Sequence, residues 1–241
     1  MNRILSTILI SLLCLCGAMA QPAAVKNVAK SVFALKAYDA EGKQIATSNG
    51  VFLSADGIAA CPWSAVREAS RVEVVDFNGK TYPVTHILGA NELYDVCRVR
   101  VDMPKTVAAT IATAAAKDSK LWLVETADRR TQTTQYEVDK AETFMEKYAY
   151  YVFGYNNHKP TQGAAFVNEK GQVVGLMQQS VRSLYANAVD VRFILTLAAS
   201  HLDINNSLYA KTSLRLTLPA DKQNALLMVM LAAECQDTAK Y

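Results

Sequence analysis

The chain has 241 residues, 51% of them hydrophobic and 20% charged, with a formal net charge of +3. That balance supports one or two small domains with a real core. Its basic residues are scattered along the chain, which argues against a nucleic-acid-binding surface.

Met1 to Ala20 reads as a secretory signal peptide. Arg3 supplies the positive start, Ile4 to Leu15 the apolar run, and Ala18-Met19-Ala20 the small-residue cleavage site, so the mature chain is expected to begin at Gln21. The competing reading is a membrane anchor, but the run is short for a span and no stop-transfer charges follow it. No membrane span is therefore expected after the leader is removed, and the expected location is secreted or periplasmic. Cleavage leaves Cys61, Cys97 and Cys235, an odd number that permits at most one internal bridge. Neither Cys-x-x-Cys nor a Cys/His pair has metal-ligand spacing, so no metal and no cofactor is expected.

From there the chain is punctuated by turns. Ser31 to Tyr38 is rich in β formers and Asp39 to Lys43 is a turn. Gln44 to Ser54 returns as a strand, interrupted at Asn49-Gly50 where a bulge or a close backbone approach is expected. Asp56-Gly57 makes a hairpin turn, Arg71 to Phe77 alternates apolar and polar residues, and Asn78-Gly79 turns the chain into Thr81 to Gly89. Val96 to Val101 is a further strand. Asp102 to Asp118, rich in Ala and Thr, reads as a connection between two halves. The second half supplies strands at Lys120 to Thr126, Thr133 to Phe144, Tyr148 to Phe153, Ala164 to Asn168, Val173 to Gln179 and Ala186 to Asp190. Phe193 to Leu202 reads as a short helix, and Pro219 onward as an apolar helix over Ala220 to Cys235. Short strands with frequent turn signals argue for antiparallel barrels or sandwiches.

Three stretches carry a resemblance. Gly163, Val167, Asn168, Gly171, Val174 and Gly175 match the segment G-N-S-G-G-P-L-V-N…V-x-G-I that follows the nucleophile in trypsin-like serine proteases, especially their HtrA-like branch. Asn49 to Val66 is similar to that family's S-G-x-I-x-x-D-G-x-I-L-T-x-x-H-V-V, and Tyr94 to Val101 resembles its T-D-L-A-x-L-x-V. The resemblance covers roughly Val28 to Asp190. It implies an all-β fold of two antiparallel six-stranded barrels, to which the sequence adds a C-terminal α-helix. The expected divisions are 21–105 for the first barrel, 106–202 for the second, and 203–241 for a linker and helix.

The resemblance also locates the chemistry, which is missing. The histidine position falls on Ser64, or on Trp63 with a one-residue slip, and the aspartate position on Asp95. The nucleophile position holds Gln162. Pro160, two residues earlier, occupies the place of a glycine whose N–H helps form the oxyanion hole, and proline has no N–H. Loss of base, nucleophile and an oxyanion donor removes several powers of ten in rate. Asp95, with no imidazole to orient, is expected to bond to Ser64 or to backbone N–H groups at residues 62–65.

The expected function is a pseudoprotease that captures a peptide or protein segment or acts as a scaffold, with Gln162, Gln178, Gln179 and Ser180 as peptide-binding residues. A serine endopeptidase with a non-standard catalytic set is the alternative, and an inert structural module is a third reading. His86 and His158 read as strand and solvated-loop residues, His201 as a helix end. Tyr148, Tyr150, Tyr151, Phe153 and Tyr155 read as an aromatic barrel strand, with a peptide-binding wall as the alternative. Cys61 and Cys97 lie beside two of the degenerate positions, so either a bridge or two separate buried thiols fits them.

Overall fold

The computed structural model describes residues 21–127, 130–178 and 186–197, together with the backbone of 202–203. Residues 1–20, expected to form a leader, the C-terminal helix expected over Ala220 to Cys235, and Gln179, Ser180, His201 and Cys235 lie outside the described residues.

Two closed antiparallel barrels of six strands each make up the described chain, the two-barrel architecture of the trypsin-like fold. The first is formed by β1 (Val32–Tyr38), β2 (Gln44–Phe52), β3 (Ile58–Cys61), β4 (Arg71–Val75), β5 (Thr81–Asn91) and β6 (Val96–Val101). Its order is β5-β4-β1-β2-β3-β6, closed by pairing of β5 with β6. The second runs β10-β11-β12-β9-β8-β7 around its closure. Its strands are β7 (Lys120–Ala127), β8 (Arg130–Phe144), β9 (Tyr148–Phe153), β10 (Ala165–Val167), β11 (Val173–Gln178) and β12 (Asn187–Asp190). The expected strands thus reappear with their ends moved by a few residues. Unanticipated is β3, a four-residue strand whose apolar run Ile58-Ala59-Ala60-Cys61 is too short to show a period.

Period-2 alternation fills each barrel. Phe33, Leu35, Phe52, Val74, Ile87 and Val99 point into the first, and Leu121, Leu123, Val138, Tyr151, Phe153 and Phe166 into the second. Phe153 and Phe166 stack with ring centres 3.9 Å apart, with Tyr136 edge-on to both. A third apolar layer joins the barrels: Val32, Val51, Ala60 and Val96 of the first meet Val124, Ala165, Leu176 and Val189 of the second. The short helix α1 (Ala23–Asn27) and the 3₁₀ turn Val28–Lys30 add Val25 and Val28 to that layer.

Two helices are single turns. α2 (Trp63–Val66) follows β3. α3 (Val191–Ile194) follows β12, earlier than the Phe193-to-Leu202 helix expected, because the Asp190 side chain caps it by accepting a hydrogen bond from Arg192 N. Leu202–Asp203 forms β13, which pairs with β5 at Ile87 and His86. That pairing returns the chain to the first barrel, where the sequence placed residue 202 in the second. Among the described residues no helix is long and apolar enough to cross a membrane.

Candidate functional site

Ser64, Asp95 and Gln162 are brought together in the gap between the barrels. Ser64 lies on α2, whose Trp63, Ala65 and Val66 are buried while Ser64 is exposed. Burial of the Trp63 indole removes the one-residue ambiguity of the sequence: Ser64 faces the gap.

Asp95 ends the turn that joins β5 to β6. Tyr94 N donates to Asn91 Oδ1 at 2.9 Å, and Asp95 N donates to Glu92 O at 3.1 Å. The residue has φ 47°, in the left-handed region that Asp tolerates better than most side chains. In that conformation the carboxylate turns toward α2. Its Oδ1 accepts from Ser64 N at 2.6 Å, and its Oδ2 accepts from Ser64 Oγ at 2.9 Å. The Asp95 carbonyl accepts from Trp63 N at 3.3 Å.

Gln162 reaches this pair from the second barrel. Its Nε2 donates to Asp95 Oδ2 at 2.6 Å and to Ser64 Oγ at 2.8 Å. A primary amide has two protons, and both are taken up here. The opposite orientation would set the amide oxygen against a carboxylate, so the network fixes which atom is nitrogen. Gln162 therefore holds a peptide carbonyl only by releasing one of these partners.

The backbone around Gln162 is fastened on every side. Asn49 N donates to Gln162 O at 2.8 Å, and Gly163 N donates to Met177 O at 2.8 Å. Thr161 N donates to Glu125 Oε1 at 2.6 Å, and the other oxygen of this buried carboxylate pairs with His158 Nε2. Pro160 has no N–H to offer. The N–H groups of Thr161 and Gly163 are taken up by Glu125 Oε1 and Met177 O, so neither can serve as an oxyanion donor without releasing its partner.

Asn49, only 2% exposed, ties the barrels together directly. Its Nδ2 donates to Thr126 O at 2.8 Å and its Oδ1 accepts from Thr126 N at 3.0 Å. This two-way pairing gives one backbone unit of β7 the partners that a neighbouring strand would otherwise supply. Tyr94 does the same with apolar surface: its ring stacks on Phe144 at 4.4 Å and meets Phe193 edge-on at 5.3 Å.

Sequence reasoning missed Glu125 and misjudged His158. A lone carboxylate ending the apolar run Leu121-Trp122-Leu123-Val124 was the available signal. Burial obliges Glu125 to find donors, and the half-exposed His158 ring supplies one through Nε2. His86 lies half-buried on β5 beside Thr85 Oγ1 at 3.1 Å. The aromatic strand β9 divides by its alternation. Tyr151 and Phe153 are core, while Tyr148 packs on Phe144 and Phe193 in the cluster around Tyr94. That supports the barrel-strand reading of these residues over a binding wall.

A pocket of about 310 Å³ opens on the cluster itself, lined by Ser64 and Asp95 together with Trp63, Arg67, Glu92, Leu93 and Gln178. Leu93 is 84% exposed on its rim, and Arg67 faces Glu92 across it at 3.3 Å. The Gln178 amide donates to Tyr94 O, and its strand pairs with Asn187 of β12 at that level. Neither the comparison with protein-family models nor that with curated proteins returned a match.

Proposed function

We propose that this chain is an exported, catalytically inactive member of the trypsin-like serine protease family, a pseudoprotease that captures a peptide or protein segment in the cleft between its barrels. One observation carries the reading: the nucleophile position is a glutamine whose two amide protons bind Ser64 and Asp95. The former catalytic residues are thereby a clamp between the barrels. No imidazole takes part in it, and triad catalysis needs both a nucleophile and a base.

The capture surface is the pocket that opens on the clamp, with Ser64 and Asp95 in its wall. It combines the exposed Leu93 with Ser64, Asp95, the Arg67–Glu92 pair and the Gln178 amide, a mostly polar lining with one exposed apolar side chain that suits the backbone and polar side chains of an extended segment. The serine endopeptidase alternative has one contact in its favour, the hydrogen bond from Ser64 Oγ to Asp95. A carboxylate is a weaker base than an imidazole, and Oδ2 already accepts from Gln162 as well.

The test is capture and cleavage in one format. The purified chain is exposed to a library of extended peptides, and both bound and cleaved species are read by mass spectrometry. The reading expects intact peptides retained by the chain, with retention lost in Leu93→Ala and Arg67→Ala. Cleavage that disappears in Ser64→Ala would establish the endopeptidase instead, and no retention of any peptide would remove the capture role.

A further inference from the structure

The first barrel encloses two thiols that the clamp does not use. Cys61 ends β3, Cys97 is the second residue of β6, and the register sets them directly opposite one another. Both are fully buried, and their sulfur atoms lie 3.3 Å apart. Cys61 leads through Pro62 and Trp63 to Ser64, and Cys97 follows Asp95 by two positions.

Opposed residues of an antiparallel pair have Cα atoms about 4.5–5.5 Å apart, inside the range that a disulfide spans. To bond, the sulfurs must close from 3.3 Å to about 2.05 Å, a movement that side-chain rotation supplies while the strands stay in register. Thiols acting only as apolar filler have no need to face one another. Here each sulfur is the other's neighbour, and Cys97 Sγ also lies 3.5 Å from the Cys61 carbonyl.

We propose that Cys61 and Cys97 become a disulfide while the first barrel folds, tying the strand that leads to Ser64 to the strand that follows Asp95. The oxidant is a small-molecule disulfide such as oxidised glutathione. The thiolate of one cysteine attacks it, forming a mixed disulfide and releasing one glutathione. The second cysteine then displaces the other glutathione, so two protein thiols become one disulfide and their protons end on two glutathione thiols. Timing follows from burial. In the closed barrel, burial and the adjacent Cys61 thiol push Cys97 well above its ordinary pKa, which withholds the thiolate that exchange requires. Oxidation therefore precedes closure, and closure afterwards shields the bond from reductants. This inference is independent of the pseudoprotease reading.

The experiment unfolds the full chain in denaturant with reductant, then refolds it either in a glutathione redox buffer or under a phosphine reductant. Peptide mapping without reduction is expected to show Cys61 linked to Cys97 after glutathione refolding, lighter by two hydrogen atoms. That form should melt about 5–10 °C higher than the reduced one and should keep its bond under phosphine until denaturant is added. In the Cys61→Ala/Cys97→Ala variant the two refolding conditions should give one melting temperature. If that variant does not fold, the wild-type map decides. Free thiols or separate glutathione adducts at 61 and 97 after glutathione refolding would overturn the proposal. So would pairing of either with Cys14, Cys16 or Cys235, or equal melting of the oxidised and reduced wild-type forms.

Discussion

A β-carbon on Gly163 would sit 2.0 Å from the carbonyl oxygen of Asn49, on the other barrel. The same atom would lie 2.7 Å from Pro62 Cδ, and the glycine has φ +79°. Both the backbone conformation and the contact between the barrels thus require a residue without a side chain. Gly163→Ala is expected to cost about 3 kcal/mol or more, read as a lower urea midpoint.

Asn49 is the second fastening between the barrels. In Asn49→Leu the Thr126 N–H and C=O lose their partners in a half-buried position. The expected destabilisation is about 2–4 kcal/mol. Asn49→Asp is expected to cost at least as much, because it buries a carboxylate and sets one of its oxygens against the Thr126 carbonyl.

Removal of the clamp itself should be milder, because Ser64 is exposed and Gln162 only half-buried. Gln162→Ala is expected to lower stability by about 1–2 kcal/mol, the range for hydrogen bonds to a charged group discounted for access to water. The Ser64 contacts to Asp95 remain in that variant. The double variant Gln162→Ala/Ser64→Ala should therefore lose less or more than the sum of its parts, measured in a thermodynamic cycle, because the two side chains share one oxygen of Asp95.

Two tyrosines set an alkaline limit. Burial pushes Tyr136 from 10.0 up to about 12, with the Glu125 charge adding to it, and burial likewise pushes Tyr151 up to about 12. The folded chain holds these protons more tightly than the unfolded one. Their contribution is complete below about pH 10 and is lost as pH rises toward about 12. Melting temperature should fall across that window, with tyrosinate absorbance appearing late for two residues. Tyr136→Phe should flatten the fall.

Most of the fold was legible because it is written in period-2 alternation and in turns such as Asn78-Gly79. The strands β6 and β9 have the bounds their patterns suggested. What escaped has physical reasons. β3 is four residues long, and a run that short shows no period. The Gln162 clamp was invisible because sequence shows which residues replace a triad but not where their protons go. The positions of Ser64, Asp95 and Gln162 came from the resemblance, whereas Glu125 belongs to no motif and Asn49 opens one that says nothing of its bonds to Thr126. Their role depends on burial between strands far apart in the chain, and neither residue type in a strand signals that by itself.

On the pseudoprotease reading, the nucleophile position carries no reactive group and Ser64 has not replaced it. Incubation of the folded chain with a serine-directed fluorophosphonate, followed by intact-mass measurement and peptide mapping, tests this directly. The expected result is an unmodified mass at a reagent excess and time that fully label an active serine protease run alongside. A stoichiometric adduct mapping to Ser64, abolished by prior unfolding, would contradict it.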